Sequence, residues 1–349
     1  MRISLLHLFK EMGIFDLWRY LHRNDIIILL FHGTSDPKHP SKWTPLRPQF
    51  SSEYIDWCMG VISKYYRFIS LDDAVKILKK EKPPIEYGIA ITMDDGYKSN
   101  VLDALPVFRK YNACMTVFLP VTNVEKRESL WFDRLDYVLQ SSNCEHKKFN
   151  IGNETFIFSA KGRGDLSASY VKFRKLIKKQ YKNEEEFQNK IDEIISHYEK
   201  ASGKNLANIF EDDPWSALLN WEEINRYQGE DVQFGSHMMD HYRVDCLNED
   251  DLRYQLVESK KTIEMKTGNP CKYIAYPNGN YSETAGKIVL ESGYEAGLTT
   301  IEGINTVGCD ITKIKRVCLP WTSDTTELLS CVSGFSNAVS RRRNGNQNE

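Results

Sequence analysis

The sequence predicts an α/β fold, a barrel of alternating strands and helices that carries one helical insertion. Three observations lead there. Short apolar runs recur along the chain and alternate with helical spacing, the pattern of parallel strands joined by crossover helices. Several of those runs stop abruptly on polar residues, as strands do when their carboxyl ends carry chemistry. The chain has 349 residues, enough for a barrel of about 200 to 250 residues with a further segment inserted.

In order, residues 1–25 have a helical apolar pattern interrupted by Glu11 and Asp16. Those acids and the lack of a small-residue cleavage site argue against a secretory leader, so a cytoplasmic location is expected. Ordinary packing of this helix is favoured, with peripheral contact to a membrane surface as the alternative. Ile26-Ile-Ile-Leu-Leu-Phe31 reads as a buried strand ending at His32-Gly33. It is the longest apolar run, far short of the roughly 20 residues that span a bilayer.

Helical spacing follows over Ser51–Tyr66 and Leu71–Lys80, the second behind a Ser70 cap with Asp72 and Asp73 in its first turn. Gly88–Met93 is a second buried strand, running into Asp94-Asp95-Gly96, and helix Val101–Tyr111 and strand Ala113–Leu119 complete a strand–helix–strand unit. From 124 to 220 long charged helical stretches, Ser167–Lys182 and Glu184–Lys200, replace the alternation. Strand spacing resumes at Asp231–Phe234, then helix Asp250–Thr267, strand Tyr273–Tyr276, helix Ser282–Ser292, and strands near Ala296–Thr299 and Lys315–Leu319. The expected organisation is an N-terminal helix (1–25), a barrel (26–123 and 221–335), a helical insertion (124–220) and a polar, disordered tail (336–349).

Composition excludes several classes. Apolar residues make up 41% and charged residues 27%, with a net charge of −2, which is globular and leaves no electrostatic footprint for nucleic acid. The Lys-rich stretch 172–182 alternates with apolar residues like a solvated helix face. Eight cysteines, none in a C-x-x-C pair, read as buried thiols of a reduced compartment.

Three strand ends collect the residues with chemistry: Phe31-His32, Met93-Asp94-Asp95-Gly96, and Phe234-Gly235-Ser236-His237 with His241. Adjacent aspartates point to opposite faces of a regular strand, but at a strand end before a glycine both can turn into one cavity, one to bind metal and one to take a proton. Histidines four apart suit one side of a helical turn and a single divalent cation. Two imidazoles and a carboxylate leave coordination positions open, as in a catalytic metal site. Asp-Asp-Gly is also an ordinary turn, and a histidine after a strand is often simply packed. Their co-occurrence weighs for a site.

These residues resemble the polysaccharide deacetylase family, the NodB-homology domain of family four carbohydrate esterases. Ile91-Thr-Met-Asp-Asp-Gly-Tyr97 looks like its T-F-D-D-G motif, whose first aspartate is the base and whose second binds metal. Ser236-His237-Met-Met-Asp-His241 is similar to its H-[ST]-x-x-H motif, with Met238 where Ser or Thr is usual. Tyr276-Pro277-Asn278-Gly279 resembles the Y-P-x-G form of a third motif that lines the substrate groove, with the Asn278 N–H at the oxyanion. The arginine that pairs with the base in other members is missing there. Arg316 is the substitute candidate, and an exposed ion pair is its alternative.

The family's general acid lies in a late L-x-H motif, yet no histidine follows Tyr276. Leu30-Phe31-His32 has that pattern at the front of the chain, as in members whose last strand is permuted to the beginning, so the resemblance gives the acid role to His32. Leu130–Leu135 is similar to a segment of surface-polysaccharide members, where Trp131 and Phe132 stack on a sugar or pack against the barrel.

The resemblance thus implies a distorted (β/α)7 barrel of NodB-homology type, holding a divalent metal, with zinc the expected ion, on Asp95, His237 and His241. Asp94 would be the base and His32 the acid in removing an N-acetyl group from an amino sugar of a polysaccharide or glycan precursor. O-acetyl ester hydrolysis, a non-catalytic glycan-binding module and, on the ligand set alone, a non-haem iron oxygenase are the alternatives.

Overall fold

The computed structural model describes residues 2–47, 49–141, 148–159 and 162–344. Its strands are β1 (Ile27–Phe31), β2 (Arg67–Phe68), β3 (Gly88–Met93), β4 (Met115–Leu119), β5 (Lys148–Ile151), β6 (Glu154–Ile157), β7 (Val232–Ser236), β8 (Tyr273–Ala275), β9 (Ala296–Glu302) and β10 (Ile314–Cys318). Seven of them, in the order β1, β3, β4, β7, β8, β9, β10, pair in parallel, and β10 returns to β1, closing the barrel. The two residues of β2 pair with the start of β3. A parallel (β/α)7 barrel is therefore the architecture, and it is not the all-β scaffold usual for the oxygenase alternative.

Every residue of β1, β3 and β4 is buried, which is why these strands read as continuous apolar runs rather than alternating ones. Their two faces serve different cores. Ile27, Leu29 and Phe31 join the surrounding helices, whereas Ile28, Ala90, Phe118, Leu298 and Ile314 form a second cluster with helix Leu71–Leu78. Ser70 caps that helix by accepting from the Asp73 N–H, as its sequence implies. The expected helix at 101–111 divides into a wide π turn, Asn100–Ala104, and helix Leu105–Lys110. Pro106 near the join has no N–H to continue the ladder.

The insertion differs from its expectation. Besides helices Trp131–Ser141, Arg163–Gln180 and Glu184–Ser202, it contains an antiparallel hairpin of β5 and β6 turning at Gly152 (φ 58°). Phe149, Ile151 and Phe156 point inward at a spacing of two, into a separate core with Phe173, Ile177 and Ile191. The N-terminal segment is two helices, Arg2–Glu11 and Ile14–Leu21, broken at Gly13 (φ 70°). They pack on the C-terminal region, with Phe9, Phe15 and Trp18 against Phe335 and Trp18 Nε1 donating to the Ser333 carbonyl. Where a disordered tail was expected, Phe335–Asn344 is helical, and 345–349 lie outside the described residues. Of the seven described cysteines, all free, only Cys58 and Cys271 are buried, so the buried-thiol expectation holds for those two alone. Cys144 lies outside the described residues.

Candidate metal and catalytic site

Parallel closure puts the carboxyl ends of all seven strands at one end of the barrel, and His32, Asp94, Asp95 and His237 follow three of those ends directly. The Asp94 N–H donates to the Phe31 carbonyl at 2.9 Å, and the His237 N–H donates to the Leu119 carbonyl at 2.8 Å. Strand register thus seats the motifs beside one another.

The backbone then turns sharply. Asp95 (φ 73°) and Gly96 (φ 66°) are left-handed, which is how two adjacent aspartates both become buried at one spot. Met238 (φ 67°) and His241 (φ 56°) are left-handed as well. The two histidines therefore sit on an irregular loop, not on the helical turn that their spacing suggested. Non-glycine residues in this region cost roughly 1 to 3 kcal/mol each and persist where the surroundings enforce them. One enforcing contact is the Met238 N–H donating to Ser236 Oγ at 3.0 Å, while the Met238 side chain is fully buried in the core.

Asp95 Oδ1 lies 3.5 Å from His237 Nε2 and 3.3 Å from His241 Nε2. One ligand atom from each of the three residues lies within 4.8 Å of the others. Tetrahedral ligands at about 2.1 Å from a metal stand about 3.4 Å apart, so the set fits one divalent cation. His237 Nδ1 donates to the Ala275 carbonyl at 2.6 Å, which leaves Nε2 as the free lone pair facing Asp95. Burial pushes the Asp95 carboxyl up, but His237 and His241 outweigh it and hold the group well below the usual carboxylate range.

Asp94 is gripped from the other side. Arg316 Nη1 and Nη2 donate to its two oxygens at 2.7 Å each, and Arg316 Nε donates to the Thr299 carbonyl at 2.8 Å. Arg316 is fully buried, so the exposed-arginine alternative does not describe it. Burial pushes Asp94 up, and Arg316 together with His237 overrides that and keeps the carboxyl low. His32 is half-buried, and its ring has no hydrogen-bond partner among the described residues. Burial lowers its pKa, opposed by the charges of Asp95 and Asp94.

The remaining candidates divide. Tyr276 is fully buried and its hydroxyl donates to the Thr312 carbonyl at 2.7 Å, and Pro277 is buried too, so both form the wall rather than direct substrate contacts. Asn278 is exposed and left-handed (φ 58°), and its side-chain oxygen accepts from Lys178 Nζ. Phe132 is buried with its ring 5.7 Å from that of His241, so it backs that histidine and its ring is closed to solvent. Trp131 is half-buried beside it.

Sequence reasoning missed a layer contributed largely by the insertion. Asp133 is buried and accepts from Arg47 Nη2 at 2.7 Å and from the Tyr97 hydroxyl at 2.6 Å. Arg47 covers the Phe132 ring at 4.3 Å. Lys178, assigned to a solvated face, is instead half-buried at the site. The available signal was its spacing, since Tyr170, Arg174 and Lys178 recur every four residues on one face of helix Arg163–Gln180.

The polysaccharide deacetylase family profile matches residues 81–297, more than half of the chain, and the protein belongs to that family, a family of deacetylase hydrolases. A Bacillus subtilis (strain 168) protein, YxkH, assigned by name to the polysaccharide deacetylases, is 29% identical over 91 residues. That match covers 24% of this chain and only a third (33%) of the length of YxkH. Among solved structures, a Streptococcus pyogenes deacetylase, PplD, in complex with acetate superposes with a TM-score of 0.56 at 15% identity, covering 88% of this chain and 98% of its own. IcaB from Ammonifex degensii superposes at 0.55 and 15% identity, covering 89% and 97%. At those identities the two structures speak for the fold.

Proposed function

We propose that the protein is a metal-dependent hydrolase that removes the N-acetyl group from an amino sugar of a polysaccharide or glycan precursor, releasing acetate and a free amine. The observation that carries this reading is the convergent Asp95, His237 and His241 set standing beside the buried Asp94–Arg316 pair. A divalent cation, zinc in this reading, supplies when bound a Lewis acid for the acetyl carbonyl and acidifies water.

Asp94, kept ionised by Arg316, takes the proton of the attacking water. Each of its oxygens accepts one arginine N–H and retains a lone pair for that purpose. Arg316 also fixes the plane of the carboxylate, since a bidentate pair restricts orientation as well as charge. His32 gives a proton to the amine as the amide C–N bond breaks. The Asn278 N–H, on the loop after β8, meets the developing oxyanion. Trp131 offers a ring face to the sugar.

The test is acetate release from N-acetylated amino-sugar oligomers, stopped by a chelator and restored by Zn2+, with O-acetylated sugars as a parallel arm. Acetate from the ester arm alone replaces amide hydrolysis by esterase action, and none from either arm with metal loaded sinks the enzymatic reading. The proposal extends to a cytoplasmic protein making a peripheral membrane contact. The peripheral contact is supported by Leu8, Met12, Leu17, Tyr20 and Leu21, which the N-terminal segment leaves exposed. Failure to sediment with lipid vesicles removes that extension.

A further inference from the structure

Cations gather where the insertion meets the metal centre, and they are not all balanced. Arg47 is paired with Asp133, and Arg243 with Glu184, both over buried contacts. Arg174 and Lys178 are different. Among the described residues neither has a carboxylate partner. Arg174 lies against the rings of Trp131, Phe132 and Tyr170 at 5.9, 5.3 and 5.6 Å, and its Nε is buried with no acceptor among the described residues. Lys178 Nζ stands 6.0 Å from the Trp131 ring and donates to the Asn278 side chain.

Contact by contact, these groups border the reaction centre. Phe132 touches His241, Trp131 touches Phe132, Lys178 sits over Trp131, and its partner Asn278 belongs to the loop that follows β8. A strictly neutral glycan gives no reason for two unbalanced cations here, because bringing like charges together under partial burial is unfavourable. Burial first, and then Arg174, Arg243 and Arg47, push the Lys178 ammonium down to about 7 against the opposing charge of Asp95. An arriving anion would offset that repulsion.

Resting on the deacetylase reading, we propose that Arg174 and Lys178 bind an anionic oxygen group carried by the acetylated glycan, a phosphate or a carboxylate close to the amino sugar. The planar guanidinium takes two oxygens of such a group, and the ammonium meets it as a point charge. Asn278 holds Lys178 in position. The Trp131 ring carries both cations, and Phe132 beside it carries Arg174, which shields them from bulk water.

The experiment compares acetate release by the metal-loaded protein from matched donors bearing the same acetylated amino sugar, one neutral, one phosphorylated and one joined to a uronic acid. The expected result is a kcat/KM at least about tenfold higher for one charged donor than for the neutral one. Arg174→Gln and Lys178→Gln should each lower that ratio about tenfold, and the donor with the larger ratio distinguishes phosphate from carboxylate. Lys178→Gln guards against misfolding, since that side chain's partners among the described residues are the Trp131 ring and Asn278. Inorganic pyrophosphate titrated calorimetrically is the second probe: wild type binds it, and the Arg174→Gln/Lys178→Gln variant binds at least about tenfold more weakly. Equal rates on all donors, or pyrophosphate binding unchanged in the double variant, overturn the inference. Acetate from no donor defeats the deacetylase reading instead, and the pyrophosphate titration still decides the anion site.

Discussion

The two halves of the site are built in opposite ways. On the barrel side Asp94, Asp95, His237 and His241 come from strand ends, in runs of consecutive residues whose backbone turns are left-handed. On the insertion side Arg174, Lys178, Phe132 and Asp133 come from helix faces, spaced along the chain and joined by Arg47 from a distant loop. A strand end concentrates ligands because parallel register fixes where each strand stops. A helix face acquires meaning only once it has docked. Under the proposed function the contrast becomes a division of labour, with chemistry on the rigid end of the barrel and selection of the substrate on the added segment.

That division can be broken experimentally, most severely at the metal. His237→Ala should lose bound metal, measured by elemental analysis, and about 10⁴-fold in kcat/KM, leaving the insertion folded by circular dichroism. Asp94→Asn should retain metal yet fall about 10³-fold in turnover. Full activity in that variant would move the base elsewhere.

His32→Gln comes next, with a fall of about 10²-fold and a change in pH profile. The sign follows from the shifts: Asp94 is held below its ordinary range and is charged at neutral pH, whereas His32 must carry a proton and is lowered by burial. The rate should therefore decline as pH rises through a value below the ordinary histidine figure of about 6.5, and His32→Gln should flatten that decline. An unchanged descending limb assigns the acid to another group. The smallest effect belongs to the insertion: Trp131→Ala should raise KM about three- to tenfold and move kcat less. If it lowers kcat as much as His32→Gln does, the segment takes part in chemistry and the division fails.

Legibility followed the same boundary. β1, β3 and β4 could be read because burial on both faces makes each a continuous apolar run, and the two motifs at Asp94–Asp95 and His237–His241 could be read because their residues are near neighbours in the chain. Arg316 carried a weak signal, one of two adjacent basic residues in a late strand, since its link to Asp94 depends on β10 pairing with β1 and β1 with β3. The hairpin of β5 and β6 was hidden by the charged helices around it, and the break at Gly13 by helical spacing that continues on both sides of it. Lys178 was misread as solvated because composition records how polar a stretch is, and not which of its faces meets a neighbour.

The position of β1 has a consequence for how the molecule comes into being. Of the barrel strands, β1 is made first, and it is held between β3 and β10, the barrel strand made last, with Leu29 opposite Val317 and Leu30 opposite Cys318. Until β10 emerges, the barrel stays open along one edge of β1, Asp94 lacks its guanidinium, and a buried carboxylate has no counter-charge. Closure between β1 and β10 is a long-range step, slow and late by the entropy of the loop it seals. The nascent chain thus holds Asp95, His237 and His241 well before Asp94 gains its partner Arg316.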